Sequence, residues 1–479
     1  MSEALLRLRG FGPVLLAAIM SLAMRAGHLD QEFSGYHSWR QTQTTILCFA
    51  FEDANILNPR LGAVRNGTTI ERYEFPLMQW VWSIPYRFLG DRPLWSRLMG
   101  IVCGLGILFA FHRLLLHLGA KATTATIGGI CMVFSPLFYY YSINPLPDLL
   151  ALAFGMGTLA VSTSALSSLK KLIYGTVLLA LATACKLPFI VMAPCLLPAL
   201  ISSWGDDKSK AMAALAVALM IMAPVAAWYA WVMPGWAGNV ILSGGSSGTA
   251  STFEILKYVW TMMLPEMILN YASVPFFIIG VLVLWRNGLY RQPRLAPVLL
   301  CIPTAMAYYF YELHPIGKAH DYYLFPLFPF LFCAVAAGVG AVLGSARWAK
   351  AVWVPLAVLP ITCYLKADVR WKPTGLNAQL WDYAAPLRDI LPPEALCVVG
   401  NDESQRIFLY HLRRHGWAFN SDVLYSEWLQ DYMAQGATHL VSVSRTVEND
   451  PHIAPLLGRM IYSEGDVRAF ELNPTHSQP

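Results

Sequence analysis

The chain has 479 residues, of which 56% are hydrophobic and only 13% charged, with a mean hydropathy of +0.47. A soluble protein carries about 25% charged residues, so the composition excludes a water-soluble globule and names the lipid bilayer as a partner. The 34 Lys+Arg against 29 Asp+Glu are too evenly balanced for a nucleic-acid partner.

A stretch that crosses a bilayer needs about 20 apolar residues, or fewer where the helix is buried in protein. In chain order such stretches fall at 10–24, 94–117, 122–141, 148–166, 172–184, 188–203, 211–232, 262–285, 295–311, 323–344 and 350–365. They predict a polytopic α-helical membrane protein of about eleven spans. The first run lacks a small-residue cleavage site and reads as a retained span. The two short runs around Lys186 read as one hairpin of half-buried helices.

Orientation follows from the short loops. Arg7, Arg9, Lys121, Lys170, Lys171, Lys208, Lys210, Arg286, Arg291, Arg294, Arg347 and Lys350 all fall on one side, which is therefore cytoplasmic. The N-terminus lies on that side, and an odd number of spans puts the C-terminal part outside. In a bacterium this is the inner membrane, with the C-terminal part in the periplasm. The expected division is a transmembrane domain over 1–365, including an outside loop at 25–93 with interfacial helices, and an α/β domain over 366–479. A further outside segment covers 233–261.

Within the last part, Ala395–Val399 and Thr438–Val443 read as strands, and Ser404–Arg414 and Ser426–Gln435 as helices. Gly436 suits the helix C-cap, where a left-handed residue is wanted. No solenoid repeat appears, nor the inverted repeat of a transporter. Seven of the nine cysteines lie in or beside apolar runs and read as small hydrophobes. Cys48 and Cys397 fall outside the membrane, where a bridge between them is one pairing to examine. No CxxC or Cys/His metal spacing occurs.

The first loop is unusually polar, carrying Asp30, Glu32, His37, Arg40, Gln41, Glu52 and Asp53. The following ERYEFPLMQWVWSIPYRFLG has helical apolar spacing with Trp80, Trp82 and Tyr86, as an amphipathic helix at the membrane surface does. Three more polar insertions lie at the same face: Asp148 in SINPLPD, Lys186 in CKLPF, and Glu312, His314, Lys318, His320 and Asp321 in YELHPIGKAHDYY. Ionisable groups are costly near a bilayer core, so their clustering points to a cavity with a charged ligand.

A sugar joined through phosphate to a long isoprenoid has a lipid tail, an anionic head and a reactive anomeric carbon. Its enzyme needs cations and donors at the phosphate, where charge grows as the bond breaks. Arg40, Gln41, Lys186, Lys318, His320, Tyr322 and Tyr323 are the donor-binding candidates. It also needs a base for the acceptor hydroxyl, for which Asp148, Glu74, His37, Asp30 and Glu32 qualify by type. Direct displacement needs no protein nucleophile and inverts the anomeric centre. Structural readings stand beside these: Arg40 pairs with Glu32 or Asp53, Asp148 is a first-turn acid at a helix dipole, Lys186 snorkels, and Glu74 pairs with Arg72. No cofactor is demanded. A divalent cation fits only if the fold gathers Asp30, Glu32 and Asp148, since no local spacing requires it.

On these features the chain resembles the GT-C superfamily of polyprenyl-phosphate-sugar glycosyltransferases, among them the protein O-mannosyltransferases and the lipid A aminoarabinose transferase. The resemblance covers about residues 10–345 and rests on layout: the long first loop with His37-x-Trp39-Arg40-Gln41, the EFPLMQW segment, PLPD, the KLP hairpin and HDYYLFPLFP. It implies transfer of a sugar from a polyprenyl phosphate, undecaprenyl phosphate in a bacterium, to a glycan, lipid or protein outside the cytoplasm. One departure stands out. The superfamily's first-loop acidic pair would fall near Trp39, where this chain has no acid, so the base passes to Asp30, Glu32, Glu74 or His37. Relatives also place a lysine beside the PPL-type segment, where Glu74 stands here, whereas Asp148 matches its position directly. A polysaccharide polymerase or O-antigen ligase, and a flippase for a lipid-linked sugar, are the alternative readings.

Overall fold

The computed structural model describes residues 10–49, 51, 63–66, 69–72, 74–235, 251–288, 291–318, 320–373, 377–400, 407–419, 424–443 and 445–473. Arg7, Arg9, Glu52, Asp53, Ser404 and the Lys318 side chain lie outside this description. Two compact units emerge: Met1–Gln31, Tyr73–Met78 and Arg92–Val369 form the first, and Glu32–Arg72, Gln79–Asp91 and Arg370–Pro479 the second.

The first unit is helical. Among the described residues six helices are long and apolar enough to cross a bilayer: Pro93–His117, Ser168–Cys185, Leu187–Asp206, Lys208–Val232, Asp321–Leu343 and Ala349–Trp371. Shorter apolar helices cover Gly12–Ala23, Ala122–Val133, Pro147–Ser162 and Val274–Arg286. Only 11% of the most apolar window of Lys208–Val232 is buried. Its side chains therefore face outward, as lipid allows and water does not. The chain is a polytopic helical membrane protein.

Several expected spans are broken, each for a visible reason. The stretch expected at 122–141 breaks at Phe134–Ser135, where Pro136 opens a new helix over Pro136–Tyr141; proline favours the first helical turn. The stretch expected at 262–285 contains a π-helix over Val259–Ile268 and then turns through Asn270 and Tyr271, both left-handed at φ 51° and 45°. Asn270 is fully buried and its amide donates to Phe134 O (2.8 Å) and Leu359 O (2.9 Å), joining three segments. Helices Val274–Arg286 and Phe328–Leu343 touch backbone to backbone. A Cβ on Gly280 would lie 1.8 Å from Ala334 O, and one on Gly338 1.8 Å from Phe276 O. Small residues permit such approaches in membranes.

The second unit holds a hairpin, β1 (Ala63–Asn66) with β2 (Thr69–Arg72), and a five-stranded sheet. The strands β3 (Leu396–Gly400), β4 (His415–Phe419), β5 (His439–Ser442), β6 (Leu457–Glu464) and β7 (Val467–Leu472) lie in the order β4-β3-β5-β7-β6. β3 is parallel to β4 and β5, and β7 is antiparallel to β5 and β6. Strand alternation divides β3 between two cores. Cys397 and Val399 join Leu387, Phe408 and Val441, while Val398 joins Trp417, Leu429 and Leu440. The expected strands and the helix Ser426–Ala434 are present, and Gly436 is left-handed at φ 101°. The expected helix over Ser404–Arg414 is described only at Ile407–Leu412. Helix Asn377–Ile390 and strands β4, β6 and β7 were not expected.

The first loop joins this second unit. Ser38–Phe49 is a helix entered through His37, left-handed at φ 57°, and Trp39 packs on the core that holds Leu387 and Phe408. A Cβ on Gly35 would lie 2.1 Å from Arg370 O, and Tyr36 N donates to that carbonyl at 2.7 Å. Leu77–Leu89 is helical as expected. It buries Gln79, Ser83 and Tyr86 and exposes Ile84, Phe88 and Leu89, an apolar outer stripe suited to a membrane surface. All nine cysteines are free thiols, so Cys48 and Cys397 are not bridged. Cys48 instead donates to Thr44 O within its own helix.

Candidate active site

In the first unit, helix Ser168–Cys185 ends where Pro188 forbids its continuation, and Lys186 leaves it in an extended conformation (φ −157°, ψ 112°). The last carbonyls are then taken by side partners, as a buried helix end requires. Tyr229 donates to Thr183 O and Ala184 O, each at 3.0 Å, and Phe75 N donates to Ala184 O at 3.1 Å. The last of these ties Glu74 beside Lys186. The Lys186 ammonium lies 2.6 Å from Glu74 Oε1 and 4.0 Å from Asp148 Oδ1. Lys186 and Asp148 are buried, 9% and 3% exposed, and Glu74 is partly buried at 15%. Asp148 follows Pro147 in the first turn of helix Pro147–Ser162, where the helix dipole favours a negative charge.

The third polar insertion completes this cluster. Lys186 Nζ sits 5.3 Å from the centre of the Tyr323 ring, within cation–π range. His320 stacks on Tyr323 (5.1 Å, 27°) and its Nδ1 is 3.2 Å from the Tyr322 hydroxyl. Two bonds fix this loop: Tyr141 OH donates to Asp321 Oδ1 at 2.7 Å, and Tyr308 OH to Tyr323 O at 3.1 Å. Glu312 stands close enough for Lys186 to act on it. Burial raises its pKa and Lys186 pulls it back, leaving it above the usual carboxylate value.

The structure thus gathers Glu74, Asp148, Lys186, His320, Tyr322 and Tyr323. Glu74 is bound to Lys186, and the lysine absent beside the PPL-type segment is answered by an ammonium from another helix end. Asp30 is a surface residue paired with Arg92 (Oδ1 to Nε 3.3 Å), both about half exposed. In the second unit Arg40 is buried and donates to Gln43 Oε1, and Gln41 donates to Tyr36 O at 2.9 Å. His37 is buried with its ring 4.2 Å from Tyr36. Glu32 accepts from Arg413 at 3.0 Å and from the Tyr410 hydroxyl at 2.9 Å. Among the described residues no group of three His, Cys, Asp or Glu side chains is placed to hold a metal ion. Sequence reasoning missed Tyr141, Tyr229 and Tyr308, whose only signal was a phenol near the end of an apolar run. It also missed Arg413, which carried none.

Residues 74–228, which include Glu74, Asp148 and Lys186, match the family described as dolichyl-phosphate-mannose-protein mannosyltransferase. Among solved structures, ArnT from Cupriavidus metallidurans bound to undecaprenyl phosphate aligns at TM-score 0.69 and 15% identity, over 98% of this chain and 99% of that one. The chain shares the fold of ArnT. The archaeal oligosaccharyltransferase AglB from Archaeoglobus fulgidus, in complex with an inhibitory peptide and a dolichol-phosphate, aligns with this chain at 0.58 and 11% identity, over 98% and 75% of the two chains. The mycobacterial arabinofuranosyltransferase AftD aligns at 0.54 and 14%, over 96% of this chain and 40% of that one. No curated protein matches the chain in sequence.

Proposed function

We propose that this chain is a GT-C superfamily glycosyltransferase, which transfers a sugar from a polyprenyl phosphate, undecaprenyl phosphate in a bacterial inner membrane, to an acceptor hydroxyl on the periplasmic side. About eleven spans, a cytoplasmic N-terminus and a periplasmic C-terminal part belong to the same reading. The observation that carries it is the buried Lys186 ammonium held between Glu74 and Asp148 beside Tyr323, inside a fold shared with ArnT.

The chemistry follows from these groups. The acceptor oxygen attacks the anomeric carbon, the anomeric C–O bond to phosphate breaks, and the electron pair leaves on the polyprenyl phosphate. Lys186, with the Tyr322 hydroxyl and His320, meets the charge that grows on that phosphate. The acceptor proton passes to Glu74, the more open of the two carboxylates on Lys186; Asp148, at 3% exposure, holds the ammonium in place. One displacement inverts the anomeric centre. In the second unit Arg40 and Gln41 are the proposed donor-binding residues, and their guanidinium and amide suit phosphate or sugar oxygens.

The donor's tail has a matching surface in the first unit. An apolar cavity of about 510 Å³ is lined by Trp260, Leu264, Phe277, Trp285, Met306 and Leu327 among others. It runs along helices Ile302–Tyr311 and Asp321–Leu327, the same elements that carry Tyr308 and Tyr323. The test supplies the purified chain in vesicles with radiolabelled polyprenyl-phosphate sugars and membrane extract. Label on an acceptor, lost in Glu74→Gln with donor binding retained, is expected. Movement of intact donor across the vesicle without transfer overturns the reading.

A further inference from the structure

The C-terminal domain has no role in the reaction proposed above, and Glu32 entered as a candidate base. The contacts of Glu32 give both a different task. Its carboxylate accepts from Arg413 Nη2 through both oxygens (3.0 and 3.2 Å) and from the Tyr410 hydroxyl (2.9 Å), with Arg388 Nη1 3.7 Å away. Arg413 also pairs with Asp91 and lies over the Tyr410 ring, 4.1 Å from its centre. Arg413 is left-handed at φ 53°, a conformation that costs free energy in a non-glycine residue and persists only where surroundings fix it. A carboxylate that already accepts three hydrogen bonds, two of them from a guanidinium, is a weak base for an acceptor's proton.

The same stretch is held at two further points. Tyr36 is bonded to Arg370 O across the close approach at Gly35, and its ring receives the Arg370 guanidinium at 4.5 Å. Trp39 packs on the core of the sheet domain. Between and beside these anchors lie His37, Arg40 and Gln41. We infer that Glu32 and Arg413 are positioning residues: an ion-pair clamp by which the C-terminal domain fixes the His37–Gln41 segment in its working conformation. This rests on the proposed donor-binding role of Arg40 and Gln41. The domain then has a task of its own, holding this segment in shape.

The test uses the full chain in lipid nanodiscs with Glu32→Gln, Glu32→Asp and Arg413→Lys, and reads amide hydrogen exchange and transfer kinetics separately. Losing a charged hydrogen-bond pair loosens a local unit by about a factor of ten or more. Exchange at residues 36–43 rises by that factor in Glu32→Gln, while exchange in helices Pro93–His117 and Pro147–Ser162 is unchanged. kcat for donor turnover falls in parallel at a similar acceptor KM, Glu32→Asp retains most of both, and Arg413→Lys, which lacks the guanidinium fork, repeats the Glu32→Gln loss. Unchanged exchange at 36–43 in a folded Glu32→Gln overturns the clamp. Faster exchange with unchanged kcat overturns its role in positioning. A wild-type chain that transfers no sugar refutes the donor reading instead, and the exchange measurement still decides whether the clamp exists.

Discussion

Replacing Lys186 by Met keeps a long flexible side chain and removes the charge that Glu74 and Asp148 share. At an effective dielectric of about 20, pairs at 2.6 and 4.0 Å represent roughly 6 and 4 kcal/mol of gross attraction. Desolvation of each ion opposes this by several kcal/mol, so the intact cluster adds little net stability. Removing the ammonium alone is different, because two carboxylates then stay buried without it. That loss is about 3–5 kcal/mol. The double variant Lys186→Met/Glu74→Gln removes one of the stranded charges and recovers about 1–3 kcal/mol. Thermal unfolding of the full chain in one lipid, single against double variant, measures the difference. Turnover of labelled donor falls about 10²–10³-fold, the size of one lost oxyanion-stabilising contact. A Lys186→Met chain of unchanged melting temperature, turning over within twofold of wild type, refutes both the shared-charge and the phosphate-cation arguments.

Three further outcomes follow from features away from that lysine. Burial pushes the His411 imidazole down to about 3 from its usual 6.5, so the folded second unit keeps it neutral while the unfolded chain takes up a proton. Stability of that unit is therefore lost as pH falls from 6.5 toward 3. Glu32, which burial raises but Arg413, His411 and the Tyr410 hydroxyl together hold below the usual carboxylate value, adds a loss below about 4.5, whereas Asp91, raised by burial, acts in the opposite sense. Amide exchange in β3 and β5 against pH reads this, and His411→Phe removes the part above pH 4.5. Gly35→Ala forces a Cβ to 2.1 Å from Arg370 O, costing about 2–3 kcal/mol by overpacking and opening residues 33–43 to limited proteolysis. Tyr141→Phe removes the bond to Asp321 and lowers kcat about tenfold with expression intact, as measured by transfer from saturating donor.

Spans, polar insertions and part of the C-terminal domain were legible because lipid imposes a strong length and polarity code. Asp148, Lys186 and the His320 loop could be placed at one face from span ends alone. The Glu74–Lys186 pair could not, since the two residues are 112 positions apart and Arg72 was the nearer partner by sequence. The same limit hid Arg413. Its left-handed turn and its pairing with Glu32 depend on tertiary contact, and a doublet of arginines in a polar domain reads as surface. Breaks inside spans followed Pro136 locally, yet the turn at Asn270 needs carbonyls at 134 and 359 that no window around it contains. Strands β6 and β7 were missed because β6 exposes most of its residues and so lacks the alternation that marks a half-buried strand.

The second unit draws on residues 32–72, 79–91 and 370–479, and this order has a consequence for synthesis. Ribosomes add about 5–20 residues per second, so the roughly 300 residues between the first loop and the sheet domain take about 15–60 s to make. Throughout that interval the first loop is already made but lacks its partner strands. Its apolar Trp39 and Phe33 then depend on chaperones or on the bilayer surface for cover. A chain stopped at residue 369 keeps its membrane helices and never leaves that waiting state.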